Sequence, residues 1–543
     1  MEKKNGLSSS PEFKTHKKIM VGSRYRYLVG SGSYGVVFSL NLKHAIKSFD
    51  IMELEWIREI ALTKFLKHPS IISYDQIGIV LDYKFDLEKK KYQTNKVYTA
   101  QARMQYYSSA LDTLKKFSDS EIFLVLNNIG SALSYAHSKN VLHRDLKEYN
   151  ILVNYKNNQI SEVMLCDFGL GKYSIESDTH PEYEMITISH RPPELELSFN
   201  GDLSHIPQET ISKEFQPDKT YELLFRYDHR VDVWAYCMTL AFLITGKQFY
   251  SYIQENQLNF SKVLQNIYDF RIHLNAFITK YINRDLKHKT YYLRILDIGL
   301  SRYEDRPSIN ELLTEINIYA KENAITTNGV MYEAPNRQKN LQSDVAVNNT
   351  NKTNNIDFYY CQKKKYKDLC LACKNLWMPH VAEINFFDIF SEKNIDNRYL
   401  YLAFRNLYHA VAIHKNIILT SAKIIVSDSM IYAGCYILTN TILIDDCGNN
   451  PVYNNLIEDP GIFQVTLKII NVMKYDIVGH FGFAENLHEK LEKFKEPHQE
   501  PMVQSFLQNN LNKVISEQIE PIINSPNKKE VLGIDMDAWL NPI

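Results

Sequence analysis

The chain has 543 residues, of which 45% are hydrophobic, and its formal net charge at pH 7 is −1. Because this length exceeds the usual size of one domain, we expect two. The balanced charge gives no general electrostatic reason to expect a nucleic-acid or acidic-membrane partner. No uncharged apolar run reaches the ~18 residues of a membrane span, and the first residues lack the apolar core of a secretory signal. Together with seven scattered cysteines, these features predict an intracellular protein, cytoplasmic or nuclear and not secreted.

The first motif in chain order is rich in glycine. Residues 1–22 are predicted to be flexible, and Gly30-x-Gly32-x-x-Gly35 follows them. The surrounding residues predict a strand, a tight turn and a returning strand, in which glycines let the backbone approach phosphate groups closely. Dinucleotide-binding folds use the same spacing, but a helix follows it there. Here another strand follows and ends at Lys47, which does not fit those folds.

A predicted helix comes after Lys47 and contains Glu59, the candidate partner of that lysine. Such a pair at about 4 Å is worth roughly 4 kcal/mol at an effective dielectric of 20, before the cost of desolvation is subtracted. Glu53 and Glu55 lie on the same helix. They are either rival partners for the lysine or part of a solvated face.

Two further segments carry polar residues that suit one reaction. The first reads H-R-D-L-K-E-Y-N and ends at Asn150, and the second, D-F-G, begins at Asp167. Transfer of a phosphoryl group from ATP needs metal ions on the phosphates, a carboxylate that orients the attacking hydroxyl and a nearby cation. Asp145 and Lys147 are the candidate catalytic carboxylate and cation. Asn150 and Asp167 offer the oxygen ligands that Mg²⁺ prefers.

In this order the motifs resemble those of the eukaryotic protein kinase family, over about residues 23–322. The resemblance implies an α+β class with a two-lobed kinase fold, ATP and Mg²⁺ as cofactors, and protein substrates. Lys147 is typical of Ser/Thr kinases, because Tyr kinases usually replace it. Met104 resembles the gatekeeper residue before the hinge. The implied ATP-binding residues are Gly30, Gly32, Gly35, Val37, Lys47, Glu59 and Met104.

Later matches to the kinase pattern are structural. The sequence Arg191-Pro192-Pro193-Glu194 stands where kinases carry A-P-E, and Arg306 is the predicted buried partner of Glu194. Asp232 matches the aspartate that braces the catalytic loop in this family. These residues are predicted to support the site without taking part in the chemistry.

Three segments are similar to the cyclin-dependent kinase group: the helix around Glu59, residues 187–197, and the pair Ser33-Tyr34. Phosphorylation of Ser33 and Tyr34 would place negative charge beside that of ATP. The alternative is that both are ordinary glycine-loop residues. Arg191 stands where that group carries an arginine close to the pocket for a proline after the phosphoacceptor, which predicts a preference for Ser/Thr-Pro.

The activation segment, residues 167–194, contains two further candidate regulatory residues. Glu182 aligns on or near the activating phosphothreonine of the cyclin-dependent group. Its carboxylate would order the segment weakly, because it brings about half the charge of a phosphate. Thr179 is an alternative phosphorylation site, and Glu182 could instead belong to a solvated acidic run. The cations that stand where the group binds its phosphate are Arg58, Arg144 and Lys172.

The composition changes after the kinase-like region. Residues 323–356 are polar and of low complexity and predict a linker. Residues 357–543 show helical periodicity, and about 383–495 resemble a cyclin box that lacks the lysine and glutamate normally supporting kinase contact. The resemblance implies a kinase fused to its own activator, with contact between the two domains. The alternatives are an unrelated helical docking or targeting tail and, less favoured, an inert kinase-fold scaffold.

Four residues at the start of the helical region could bind a metal. Cys361, Cys370, Cys373 and His380 are ligand types that form tetrahedral zinc sites. The spacing of Cys361 is irregular and a second C-x-x-C is missing, so isolated reduced cysteines are the favoured interpretation.

Overall fold

The computed structural model divides the chain into two compact units, residues 1–331 and 332–543. Within them the described residues are 17–21, 24–32, 35–39, 43–51, 55–86, 91–157, 159–173, 178–180, 187–193, 195, 225–265, 267–303, 305–325, 397–420, 428–443, 457 and 460–481.

An antiparallel sheet of six strands begins the first unit, in the order β1-β2-β3-β4-β6-β5. In β4 the side chains of Ala45, Lys47 and Phe49 are buried, and those between them are half-buried. This alternation follows from the two-residue period of a strand and directs Lys47 to the covered face. The strands are β1 Lys17–Val21, β2 Arg24–Gly32, β3 Gly35–Ser39, β4 His44–Asp50, β5 Tyr74–Asp86 and β6 Lys91–Gln105.

Strand β1 corrects the prediction that residues 1–22 are all flexible. Its five residues pair with the first half of β2, from Lys17 opposite Leu28 to Val21 opposite Arg24. The sequence K-K-I-M-V shows no clear alternation. An edge strand of this kind is specified by backbone pairing with its neighbour, which composition does not reveal.

Helix α1, Glu55–Phe65, packs on this sheet and against the segment after D-F-G. A side chain at Gly171 would meet Leu62 at 2.9 Å, and the rings of Phe65 and Tyr173 are 5.9 Å apart. One face of α1 is therefore fixed against the activation segment.

Helices make up most of the second lobe. Helix α2, Asp119–Ser138, begins with a capping box in which Ser118 and Glu121 satisfy each other's backbone N–H groups. Helix α3, Arg230–Thr245, is buried on nearly every side and ends at Gly246, whose φ of 69° favours glycine. The remaining helices are α4 Phe249–Glu255, α5 Phe260–Gln265, α6 Ile267–Tyr281, α7 Lys289–Gly299 and α8 Ile309–Glu322.

Short strands hold the loops of this lobe in place. Strand β9 pairs with β7 and β10, β8 pairs with β11, and β12 pairs with β13. They are β7 Ser109–Ala110, β8 Val141–Leu142, β9 Ile151–Lys156, β10 Gln159–Leu165, β11 Lys172–Tyr173, β12 Asp178–His180 and β13 Phe225–Tyr227.

The described part of the second unit is helical. Helix α11 contacts both α9 and α12, and its Gly434 allows close approach, because a Cβ there would lie 2.8 Å from Ile469. The helices are α9 Asn397–Ile413, α10 Lys415–Thr420, α11 Asp428–Leu443 and α12 Pro460–Val472. Among the helices described in either unit, none has the length and apolar character needed to cross a membrane. The predicted α+β class, with a two-lobed domain followed by a mostly helical one, is confirmed.

Candidate active site

Lys47 of β4 lies at the centre of a buried charge cluster. Its Nζ donates to both carboxylate oxygens of Glu59, at 2.8 and 2.7 Å, and to Asp167 Oδ1 at 3.1 Å. The side chain of Glu59 is 1% exposed. Burial opposes the charge on Lys47, but Asp167 and Glu59 outweigh it and hold the pKa of the lysine above its ordinary value. The structure therefore brings Lys47 together with Glu59, whereas the rival Glu55 stands at the start of α1.

Tyr74 completes this cluster, and the sequence did not indicate it. Its hydroxyl donates to Glu59 Oε1 from strand β5. The hydroxyl is a second hydrogen-bonding partner, after Lys47, for a carboxylate that burial would otherwise penalise. Nothing in the sequence around Tyr74 marks it, because its role comes from the pairing of β5 beside α1.

Asp167 is held in an unusual backbone conformation. Its φ is 69°, in the left-handed region that costs energy for residues with a side chain. Burial alone would raise the pKa of Asp167, but Lys47 outweighs it and the pKa lies below the usual range. Asp167 is therefore ionised at neutral pH, as a metal ligand must be.

A second polar cluster surrounds Asp145 in the loop between β8 and β9. Lys147 Nζ donates to its two carboxylate oxygens at 2.9 and 2.7 Å, and Asn150 Nδ2 donates to Oδ2 at 2.9 Å. Thr187 donates its hydroxyl proton to Asp145 Oδ1 and accepts a bond of 2.9 Å from Lys147. Thr187 was part of a recognised segment but had no predicted role. Its hydroxyl links the activation segment to Asp145 and Lys147.

Asp232 of α3 fixes the shape of this loop. Its carboxylate accepts from the backbone N–H groups of His143 and Arg144, both at 2.8 Å. Arg144 has a φ of 61°, so a strained turn is stabilised by these charge-assisted bonds. This geometry is the bracing that the sequence predicted for Asp232.

The glycine loop leaves space beside the lysine. Gly30 and Gly32 end β2, and Val37 of β3 lies opposite Lys47. A Cβ at Gly30 would have no atom within 4 Å, whereas a Cβ at Gly35 would lie 2.7 Å from Ser48 O. Gly30 therefore keeps a surface open, and Gly35 permits the close approach of β4.

Met104 lies at the end of β6, where it pairs with Ala45 in β4 and with Tyr74 in β5. Its side chain is buried. The N–H of Tyr106, two residues later, donates to Lys43 O at 2.9 Å, so the chain leaves the sheet at this point. The predicted hinge follows at this point, and the role of Met104 in ATP binding stays a prediction.

The donor set of the predicted metal site fits Mg²⁺. Asn150 uses its amide nitrogen toward Asp145, which leaves its amide oxygen as an acceptor. In the described part of the chain, Asp167 Oδ2 accepts no bond, and Oδ1 is bound only by Lys47. One amide and one carboxylate oxygen suit Mg²⁺, which takes its other ligands from water and phosphates. Among the described residues no cluster of three His, Cys, Asp or Glu side chains could hold a metal ion.

Most of the predicted regulatory residues lie outside the described residues. This is true of Ser33, Tyr34 and Glu182, and also of Glu194 and the four candidate zinc ligands. Thr179 lies in β12 and pairs with Arg226 of β13. The three predicted phosphate-binding cations, Arg58, Arg144 and Lys172, are all buried.

Comparison with known proteins decides the family. The protein kinase domain family matches residues 24–316, more than half of the chain. The chain belongs to the protein kinase family. The kinase clusters around Lys47 and Asp145 lie within the matched residues.

Curated relatives are similar to part of the chain. Cyclin-dependent kinase 1 of Encephalitozoon cuniculi is 26% identical over 239 residues, which cover 41% of this chain and 66% of that protein. Extracellular signal-regulated kinase 1 of Candida albicans is 28% identical over 256 residues, which cover 44% of this chain and 52% of that protein. Cyclin-dependent kinase-like 4 of Mus musculus is 28% identical over 235 residues, which cover 40% of this chain and 55% of that protein. The chain thus spans between half and two thirds of the length of these relatives.

Proposed function

We propose that the protein is a Ser/Thr protein kinase that uses Mg²⁺-ATP, prefers Ser or Thr followed by Pro, and is activated in cis by its C-terminal helical unit. The enzymatic part of this proposal is supported by the two clusters of polar side chains, one around Lys47 and one around Asp145. Lys47 lies within 3.1 Å of both Glu59 and Asp167, and Asp145 contacts Lys147 and Asn150. An inert scaffold has no need to keep these costly buried charges.

Each cluster has a distinct part in phosphoryl transfer. When bound, Mg²⁺-ATP would supply the phosphoryl group and a metal charge that offsets the charge developing on it. Lys47, aligned by Glu59, would orient the α- and β-phosphates, and Asn150 and Asp167 would hold the metal. Asp145 accepts the proton of the substrate hydroxyl.

The preference for Ser/Thr-Pro rests on Arg191 and on the named relatives. Arg191 follows the turn Ile188–His190 directly and is 9% exposed. Cyclin-dependent and extracellular signal-regulated kinases are among the similar proteins. Residues 187–197 resemble the end of the activation segment in the cyclin-dependent group. Because Arg191 is nearly buried, its side chain is better suited to form a fixed part of the substrate site than to act as a mobile surface charge.

Activation in cis would act through helix α1. This helix carries Glu59 and packs on the activation segment through Leu62. A domain tethered by a linker of about 35 residues acts at an effective concentration near the millimolar range, so even a weak contact would be occupied. Docking of the helical unit would favour the position of α1 in which Glu59 reaches Lys47.

Full-length protein with a protease site in the polar segment 348–355 tests both parts of the proposal. We expect it to phosphorylate a Ser-Pro peptide faster than the matched Ser-Ala peptide, with Asp145→Asn as the blank. Cleavage followed by dilution should then lower the rate, while a chain with a scrambled site keeps its rate under the same protease.

The outcomes separate the alternatives. An unchanged rate after cleavage would discard activation in cis and favour an unrelated tail. Equal rates on both peptides would remove the proline preference. A wild-type rate no higher than that of Asp145→Asn would favour the inert scaffold.

A further inference from the structure

The ammonium group of Lys47 has as many acceptors in the structure as it has protons. A lysine ammonium carries three N–H donors and no acceptor. Lys47 Nζ lies 2.8 Å from Glu59 Oε1, 2.7 Å from Glu59 Oε2 and 3.1 Å from Asp167 Oδ1. The proposed function requires the same ammonium to orient phosphate groups. A phosphate oxygen that binds Lys47 therefore takes over a donor that one of these three oxygens now receives.

The three oxygens differ in what they would have left. Within the described part of the chain, Glu59 Oε2 and Asp167 Oδ1 each receive a side-chain hydrogen bond from Lys47 alone. Glu59 Oε1 also accepts the hydroxyl proton of Tyr74. A buried anionic oxygen that loses its last donor is costly. Glu59 Oε1 is therefore the acceptor that Lys47 can release at the lowest cost.

The hydroxyl of Tyr74 serves this contact rather than packing. Tyr74 is buried at the start of β5, opposite Met104 of β6. A phenylalanine ring would fill the same space, and a buried hydroxyl costs free energy unless it is hydrogen-bonded. Strand β6 separates β5 from β4, which carries Lys47. Tyr74 can therefore stay on Glu59 while the lysine side chain turns toward a ligand.

We propose that Tyr74 is a positioning residue for the nucleotide: its hydroxyl keeps Glu59 Oε1 bonded and so releases one N–H of Lys47 for a phosphate oxygen. This inference rests on the proposed kinase function and adds to it a residue that lies outside every motif of the sequence. Tyr74 acts through Glu59 and is not itself a catalytic residue. Loss of its hydroxyl weakens nucleotide binding, whereas the cluster around Asp145, on other elements, keeps its geometry.

Titration calorimetry of the full chain with Mg²⁺-ADP, which carries the α- and β-phosphates, tests the proposal without turnover. We expect Tyr74→Phe to raise the Kd about tenfold, as the loss of one hydrogen bond to a charged acceptor implies. In steady-state assays the KM for ATP should rise by a similar factor, with kcat and the KM for the peptide within about twofold of the wild type. Replacement of Tyr74 by p-aminophenylalanine, which keeps an N–H donor at the same place, should restore the Kd to within about threefold of the wild type.

Tyr292→Phe is the matched control, because it removes the same kind of bond elsewhere. Tyr292 is fully buried in the second lobe, and its hydroxyl donates to Asp119 Oδ1 at 2.7 Å. Both phenylalanine variants should melt below the wild type when no nucleotide is present, but only Tyr74→Phe should lose affinity for Mg²⁺-ADP. An equal loss of affinity in Tyr292→Phe would overturn the proposal, because general destabilisation would then explain the effect.

A double-mutant cycle shows whether Tyr74 acts through Glu59. In a Glu59→Met chain, which has no carboxylate at this place, adding Tyr74→Phe should change the Kd for Mg²⁺-ADP less than about twofold. A tenfold loss in that background would overturn the proposal, and so would an unchanged Kd in Tyr74→Phe alone. Failure of the kinase function is a separate result, because the wild type would then transfer no more phosphate than Asp145→Asn, whatever its affinity for Mg²⁺-ADP.

Discussion

Replacing Glu59 by Gln should separate the charge of this residue from its shape. The carboxylate oxygens lie 2.7 and 2.8 Å from Lys47 Nζ in a buried site. At that distance the attraction is about 6 kcal/mol at an effective dielectric of 20. Desolvation offsets several kcal/mol of it, so we expect a net loss of about 2–3 kcal/mol. Glutamine keeps a hydrogen bond to the lysine and the contact with Tyr74, so the fold should survive.

The loss should appear in catalysis. A change of 2–3 kcal/mol corresponds to a fall of about 30- to 150-fold in kcat/KM for the peptide. Initial rates at pH 7.5 measure it, and Glu55→Gln is the matched control on the same helix, with an expected change below twofold. A fall smaller than threefold in Glu59→Gln would refute the argument. An equal fall in Glu55→Gln would identify the rival carboxylate as the partner.

Three further predictions concern stability and the glycine loop. Burial would raise the pKa of Asp232, but the neighbouring imidazole and N–H groups hold it below the usual value. The stabilisation by Asp232 is thus present above an unfolded-state pKa of about 3.9 and is lost as pH falls through the lower folded-state pKa. Asp232→Asn should lower the free energy of unfolding at pH 7 by about 3 kcal/mol, as measured by urea unfolding. The variant should also lose less stability than the wild type as pH falls below 4. A loss as steep as that of the wild type would contradict this prediction. Gly35→Ala should lower the melting temperature, because its Cβ would lie 2.7 Å from the carbonyl oxygen of Ser48. Gly30→Ala should have the melting temperature of the wild type, because its Cβ would meet no atom within 4 Å, but it should bind ATP more weakly in titration calorimetry. Gly434→Ala should destabilise the second unit by about 1–3 kcal/mol, because its Cβ would lie 2.8 Å from Ile469 Cδ1 and 3.2 Å from Thr466 Oγ1; calorimetric melting measures it, and an unchanged transition would show that these side chains move aside without cost.

The sequence predicted those candidate site residues whose identity the chemistry would dictate, and the structure brings Lys47 to Asp167 and Asn150 to Asp145. Lys47, Asp145, Asn150 and Asp167 stand in short motifs, because phosphoryl transfer needs each of these residue types at a fixed place. The helical unit was predicted from periodicity, and the sheet from strand-like runs and glycine spacing. These signals are local along the chain.

What the sequence did not reveal depends on contacts between distant segments. Tyr74 reaches Glu59 only because β5 runs beside α1, and Thr187 reaches Asp145 through the fold of the activation segment. Glu148 had no predicted role within the H-R-D-L-K-E-Y-N motif, and the structure buries it against His190. Strand β1 was missed because its pairing partner, not its composition, specifies it.

The pairing of strand β2 changes along its length, and this has a mechanical consequence. Its first residues, Arg24 to Leu28, pair with β1, and only Tyr27 and Leu28 among them also pair with β3, with which the register shifts between Leu28 and Gly30. From Gly30 onward, among the described strands, only β3 holds it. The glycine-rich end of β2 is therefore held on one edge, and we expect amide deuterium exchange to be slower at Tyr27 and Leu28 than from Gly30 onward.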